Sequence, residues 1–305
     1  MKQMQEWSKS DHVILHIEKN AMCVLRFVVA MLVAVTPGLV AQNAQFETTK
    51  IADGVYQFRW ESHNSLFVVT SDGVVVIDPI STDAARRLAS EIRSTAPGAT
   101  LRAIVYSHDH ADHATGARVL REEFGGYIPV FAHENALPKI EAAESAELPP
   151  PDVTFSQQIT LHFGGRRLEL HYLGKSHSDN MVVALLPDAR VVFAVDFVSN
   201  DRVGFRSLPD YHFPEFFQAL DRLRSLDFDT VVFGHGPPGD RASIDRQIRY
   251  YADLRRAVTE AVGQGLSEDE AAARVRLPMY RDWGAYGDWF ELNVRAIYRW
   301  LVSSE

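Results

Sequence analysis

From about residue 46 onward, apolar and polar positions fall into short blocks of two kinds. VYQFRW (55–60), SLFVVT (65–70) and GVVVIDP (73–79) are β-branched and aromatic runs set apart by turn residues, the pattern of strands. TDAARRLASEIRST (82–95) has helical spacing and stops at Pro97-Gly98. LRAIVYS (101–107) is continuously apolar, as a strand covered on both faces must be. A helix over 115–125, a strand over 129–134 and a helix over 135–147, interrupted at Pro138, complete a first round. PPPD (149–152) is a stiff connector. Beyond it, DVTFSQQITLHF (152–163) reads as one strand, followed by strands RRLELHYL (166–173), MVVALLP (181–187) and RVVFAVDF (190–197). A helix over 214–227 and a strand over 230–234 close the second round, and the tail from Arg241 is helical, with Ser267 as a cap. Two rounds of strands and helices divided at PPPD predict two β-plus-α halves packed sheet on sheet, helices outside.

The first residues follow another pattern. MCVLRFVVAMLVAVTPGLVAQ (22–42) runs from a basic residue, Arg26, through an apolar stretch, Phe27 to Val35, to a Pro37-Gly38 break and small residues. That order predicts a signal peptide over residues 1–41, behind an unusually long polar start, and a periplasmic or secreted protein. The apolar stretch falls short of the roughly 20 residues a membrane span needs, so no stable membrane insertion is expected after cleavage. Cleavage would remove Cys23, the only cysteine, and move the net charge from −9 to −10. A cysteine-based zinc site is excluded, and the absence of any Lys/Arg-rich run argues against a nucleic-acid partner. An acidic chain with 46% hydrophobic residues suits a globular protein acting on a small-molecule substrate.

The candidate chemistry sits at strand ends. SHDHADH (107–113) places three histidines and two aspartates straight after an apolar strand. His108 and His110, two apart, project to one side of an extended backbone, and Asp112 and His113 follow in the turn. Four donors in six residues exceed what one open tetrahedral ion takes, so two adjacent cations are expected. His177, Asp196 and His235, each at the end of a later strand, are further candidates. His63-Asn64 is expected as an exposed turn, with a place over the site as the alternative, Arg202 and Arg206 as surface charges or carriers of a substrate carboxylate, and Trp283, Tyr286, Trp289 and Phe290 as helix core. No role is expected for His133, His162, His171 or His212.

HxHxDH at 108–113, GxxH at 174–177, an apolar strand ending in Asp196 and GHG at 234–236 together resemble the metallo-β-lactamase-fold hydrolases, over about residues 46–240. The resemblance implies a four-layer αββα sandwich over 46–240, with residues 241–305 as a helical extension packed on it. It implies a first metal on His108, His110 and His177, a second on Asp112, His113 and His235, and Asp196 between them. The metals would be two Zn²⁺, with iron or manganese as alternatives. They would generate a bridging hydroxide that Asp112 orients and whose proton it moves. Implied substrates are a small cyclic amide, lactone or ester, β-lactams included. The alternatives are a glyoxalase II-like thioester, a phosphodiester, or a non-catalytic metal-binding role. Two positions depart from relatives: many class B β-lactamases carry Cys at the Asp196 position, and lactonases of this pattern carry Tyr where this chain has Ser199. Tyr211 is the candidate replacement for that tyrosine.

Overall fold

A computed structural model describes residues 45–303. The expected signal peptide and Cys23 lie outside the described residues. Seven strands form the first sheet, in chain order: β1 (Phe46–Ala52), β2 (Val55–Trp60), β3 (His63–Thr70), β4 (Gly73–Ile77), β5 (Leu101–Val105), β6 (Val130–His133) and β7 (Val153–Phe155). Six form the second, β8 (Gln158–Phe163), β9 (Arg166–Tyr172), β10 (Val182–Leu186), β11 (Val191–Ala194), β12 (Thr230–Phe233) and β13 (Gly239–Asp240). The helices are α1 (Thr82–Thr95), α2 (Ala111–Ala114), α3 (Ala117–Phe124), α4 (Ala136–Ala143), α5 (Glu215–Ser225), α6 (Arg241–Gly263), α7 (Glu268–Arg274) and α8 (Tyr286–Ser303).

Period-two alternation sorts the core. In β3 to β5, Leu66, Val68, Val75, Ile77, Ala103 and Val105 join a core shared with β9 to β12. Phe67, Val74, Val76 and Ile104, one residue out of phase, pack instead with Leu88 and Ile92 of α1 and Leu120 of α3. Each sheet therefore has one face toward the other sheet or its helices, the layered sandwich expected from the sequence. Ile244, Tyr251 and Leu254 of α6 and Phe290, Val294 and Ile297 of α8 enter the shared core. α6 and α7 start on full capping boxes, Asp240 with Ser243 and Ser267 with Glu270.

The direction of the strands aims the chemistry. β4 to β7 run parallel and so do β11 and β12, so the ends after Ile77, Val105, Ala194 and Phe233 gather at one edge of the sandwich.

Three expectations are corrected. DVTFSQQITLHF is not one strand. Val153–Phe155 pairs parallel with β6 in the first sheet, and Gln158–Phe163 pairs antiparallel with β9 in the second. The halves thus meet at residues 156–157 and not at PPPD, because a change of partner leaves no trace in the apolar pattern. Pro138 does not interrupt α4, since it lies in the helix's first turn, where no backbone donor is needed. β1 escaped the pattern because it is a largely exposed edge strand of mixed polarity.

Candidate metal centre

Asp78 follows β4 in the left-handed backbone region, φ 59°. That conformation turns its buried carboxylate toward the neighbouring strand end, where it accepts hydrogen bonds from Ser107 N (2.7 Å) and Ser107 Oγ (2.6 Å). The same Oδ2 lies 3.0 Å from His113 Nδ1. A proton on Nδ1, donated to Asp78, leaves Nε2 as a lone-pair donor facing the centre. Ser107 Oγ is also 2.9 Å from His108 Nδ1, so one carboxylate orients two histidines. In the sequence GVVVIDP reads only as a strand, and this role of Asp78 is not predicted. The visible signal was an acid directly after a buried strand.

All seven expected site residues converge. His108, His110, His177 and Asp196 bring their donor atoms within 4.8 Å of one another, and so do His113, Asp196 and His235. Asp196 Oδ2 is 3.5 Å from His108 Nε2, 3.5 Å from His177 Nε2 and 3.3 Å from His113 Nε2. Its Oδ1 is 3.2 Å from His235 Nε2, which places this one carboxylate between the two groups. His110 Nδ1 faces His177 Nε2 at 3.2 Å. Asp112 sits half exposed at the rim, with Oδ2 3.8 Å from His113 Nε2. Gly234 makes room for the cluster: a Cβ there would fall 2.7 Å from Val195 Cβ and 2.9 Å from Asp196 Oδ1.

The expected exposed turn at His63-Asn64 is part of the site. His63 Nε2 lies 3.2 Å from Asp112 Oδ2, and His63, Asp112 and His235 form a third group of donors within 4.8 Å. Asn64 is fully buried. Its Oδ1 accepts from Gln57 Nε2 (2.8 Å), and its Nδ2 donates to Phe233 O (2.9 Å) and Gly236 O (2.8 Å). Asn64 N donates to Gly234 O, so this hairpin of the first sheet is tied to the His235 loop of the second.

Burial and mutual charge set the protonation. Burial, then the charge of His113, pulls His108 well below the ordinary histidine value, so it is neutral and free to donate a lone pair. Burial opposes the charged form of His113, but Asp196 outweighs it and, in the metal-free protein, holds His113 well above its ordinary value; a cation bound at Nε2 would take the place of that second proton. Burial likewise opposes ionised Asp196, and the imidazoles, His113 first, hold it well below the carboxylate range. Burial raises Asp112 while the His63 hydrogen bond lowers it, with a net value of about 2. Of eight buried side-chain atoms without a hydrogen-bond partner among the described residues, four belong to the cluster: His108 Nε2, His113 Nε2, His177 Nδ1 and Asp196 Oδ1. Orphaned imidazole nitrogens around a buried carboxylate are costly unless something binds them, and a nitrogen–oxygen donor set of this kind fits divalent cations.

The cluster forms the floor of a cleft of about 480 Å³, walled by Phe197, Val203, Phe205, Tyr211, Tyr251 and Trp289. Tyr211 donates through its hydroxyl to Asp196 O (3.0 Å) and sets its ring 5.4 Å from His177. Arg202 lines the cleft, whereas Arg206 is exposed outside it. Trp289, expected as helix core, is a wall of the cleft because α8 presents that side of its first turn to the loop after Asp196. The four histidines given no role stay out of the cluster; His133, for one, stacks on Tyr172 at 3.9 Å.

Comparison with known proteins agrees with this geometry. Residues 58–235 match the profile of the Metallo-beta-lactamase superfamily. The chain is 24% identical over 243 residues to a 2,4-dinitroanisole O-demethylase subunit alpha from Nocardioides sp., covering 77% of this chain and 69% of that protein. A metallo-beta-lactamase from Pontibacter korlensis superposes with a TM-score of 0.58 at 26% identity, over 67% of this chain and 98% of that one. A stereoselective inverting sec-alkylsulfatase from Pseudomonas sp. superposes with a TM-score of 0.67 at 20% identity, over 83% of this chain but half of that one.

Proposed function

Because the chain belongs to the metallo-beta-lactamase superfamily, and so is a metal-dependent hydrolase in outline, we propose that it is a dinuclear zinc enzyme cleaving a small cyclic amide, lactone or ester. The observation that carries this reading is the paired donor groups sharing Asp196, with the buried Nε2 atoms of His108 and His113 facing that carboxylate without a hydrogen-bond partner. His108, His110 and His177 would hold one ion and Asp112, His113 and His235 the other, with Asp196 common to both; His113, Asp196 and His235 converge as one group, and Asp112 joins His235 in another. When bound, such ions supply Lewis acidity and a nucleophilic water at neutral pH.

The chain's own groups do the rest. Asp112, ionised and half exposed at the rim, orients the attacking water and passes its proton toward the leaving group. His63 holds that carboxylate in place. The Tyr211 hydroxyl is committed to Asp196 O, so it steadies the backbone of the shared ligand and is not a free proton donor. Phe197, Val203 and Trp289 exclude water from the scissile bond. The signal-like order of residues 22–42 supports action in the periplasm or outside the cell.

The test is metal content by mass spectrometry together with turnover of a chromogenic cephalosporin, a simple lactone and p-nitrophenyl acetate. Two zincs per chain with turnover of at least one substrate is expected. Full metallation without turnover of any of them overturns the hydrolase reading.

A further inference from the structure

The loop after Asp196 carries an arginine that the centre does not explain. Arg202 lines the cleft, half-buried, and among the described residues its guanidinium has no hydrogen bond and no carboxylate within ion-pair distance, although the Asp196 charge favours it from farther off. Other arginines do: Arg246, from α6, is paired with Asp201 at 2.7 Å, and Arg190, elsewhere in the second sheet, with Asp227 and Asp229. Arg202 instead lays its Cζ 4.5 Å from the ring centre of Trp289, and Trp289 meets Phe205 edge to face at 5.1 Å.

The position is built. Arg202 bridges Gly284, where a Cβ would come within 3.2 Å of the arginine's Cγ. Gln247 Nε2 donates to Arg202 O at 3.2 Å. Buried Asn293, on α8, donates to Gly204 O (2.9 Å) and Arg206 O (2.7 Å). Gln247, Gly284, Trp289 and Asn293 all lie beyond residues 58–235, so the C-terminal extension holds this loop and supplies its aromatic face.

A guanidinium offers five donors in one plane and stays charged, so leaving it half desolvated without an anion is unfavourable. The Trp289 face offsets part of that cost but leaves the in-plane donors open. We propose that Arg202, Trp289 and Phe205 form a subsite for an oxyanion, carboxylate or sulfonate-like, attached to an apolar ring or chain. The substrates of this chain are then small amphiphilic anions. The inference rests on the reading of the cleft as the place where substrate is turned over.

Benzenesulfonate, a weak metal ligand, is the probe, titrated into the zinc-loaded protein by calorimetry, with methanesulfonate and benzyl alcohol beside it. One benzenesulfonate per chain is expected, bound more tightly than either partial probe. Arg202→Met should weaken it by about tenfold or more, leaving benzyl alcohol unchanged, and Arg202→Lys should fall between. Trp289→Leu should weaken benzenesulfonate more than methanesulfonate, with metal content and thermal unfolding confirming that each variant is folded. No saturable benzenesulfonate binding, or binding within twofold of the parent in Arg202→Met, overturns the subsite. Because binding is read without turnover, a protein that binds but hydrolyses nothing refutes the hydrolase reading alone.

Discussion

Replacing Asp78 with Asn should weaken both metal positions while leaving the fold in place. The side chain keeps its size, and an amide oxygen still accepts from Ser107 N, now at 2.7 Å. What disappears is the charged Oδ2, which lies within reach of both Ser107 Oγ and His113 Nδ1. A hydrogen bond to a charged group contributes about 1.5–3 kcal/mol. Since 1.4 kcal/mol is a factor of ten, loss of the His113 contact should cost the second ion about 10- to 100-fold in affinity, the range expected when a ligand's outer partner is removed. The first ion should lose less, because Asp78 reaches His108 only through Ser107 Oγ, 2.9 Å from its Nδ1. Ser107→Ala is the control: it should touch the first ion and leave the second within about threefold. Competition with a chromophoric chelator, fitted to two sites, reads both constants, with urea unfolding of the metal-free protein alongside. The reasoning fails if Asp78→Asn leaves both constants within twofold. It fails equally if the two variants lower both sites alike, which would indicate a general loosening of the loop.

His110→Ala and Asp196→Ala should abolish turnover in folded protein, and Asp196→Ala should mainly deplete the second metal; full occupancy of both metals would show that Asp196 is not shared. Asn64→Ala removes three buried hydrogen bonds, at a cost of about 2–4 kcal/mol in urea unfolding, and a change below about 1 kcal/mol would mean that the hairpin is not tied through this side chain. For pH, Asp112 at about 2 lies below its ordinary value of about 3.9, so its contribution to stability is present above about pH 4 and drains away as pH falls through 2. Unfolding midpoints of the metal-free protein between pH 5 and 2 should show that loss, and His63→Ala should flatten it; an identical slope in the variant would remove His63 as the cause.

Much of this molecule was legible in the residues because the relevant forces are local. Strand and helix follow from period, as α1 shows by spanning residues 82–95 as expected. Histidine density exposed the centre, since few arrangements other than a metal site satisfy three adjacent imidazoles. What stayed hidden depends on distance in the chain. Asn64 earns its meaning from Phe233 O, 169 positions away, and no spacing rule reaches that far. Asp78 looked like the end of a strand until folding placed His113 beside it. The passage from β7 to β8 was invisible because a strand that changes sheets keeps its alternation. Trp289 read as core because helical periodicity tells which face is apolar, not whether a neighbour covers it.

The donors of each metal position are divided between the two sheets. His108 and His110 meet His177 and Asp196; His113 meets Asp196 and His235; His63 and Asp112 meet His235. The second half supplies only His177, Asp196 and His235, and every group of converging donors draws on both halves. The centre therefore works as a coincidence detector for assembly. The last strand end to enter the groups, in chain order, is the one at His235. A site built this way closes only when the two sheets meet, so its geometry reports on the whole fold rather than on either half.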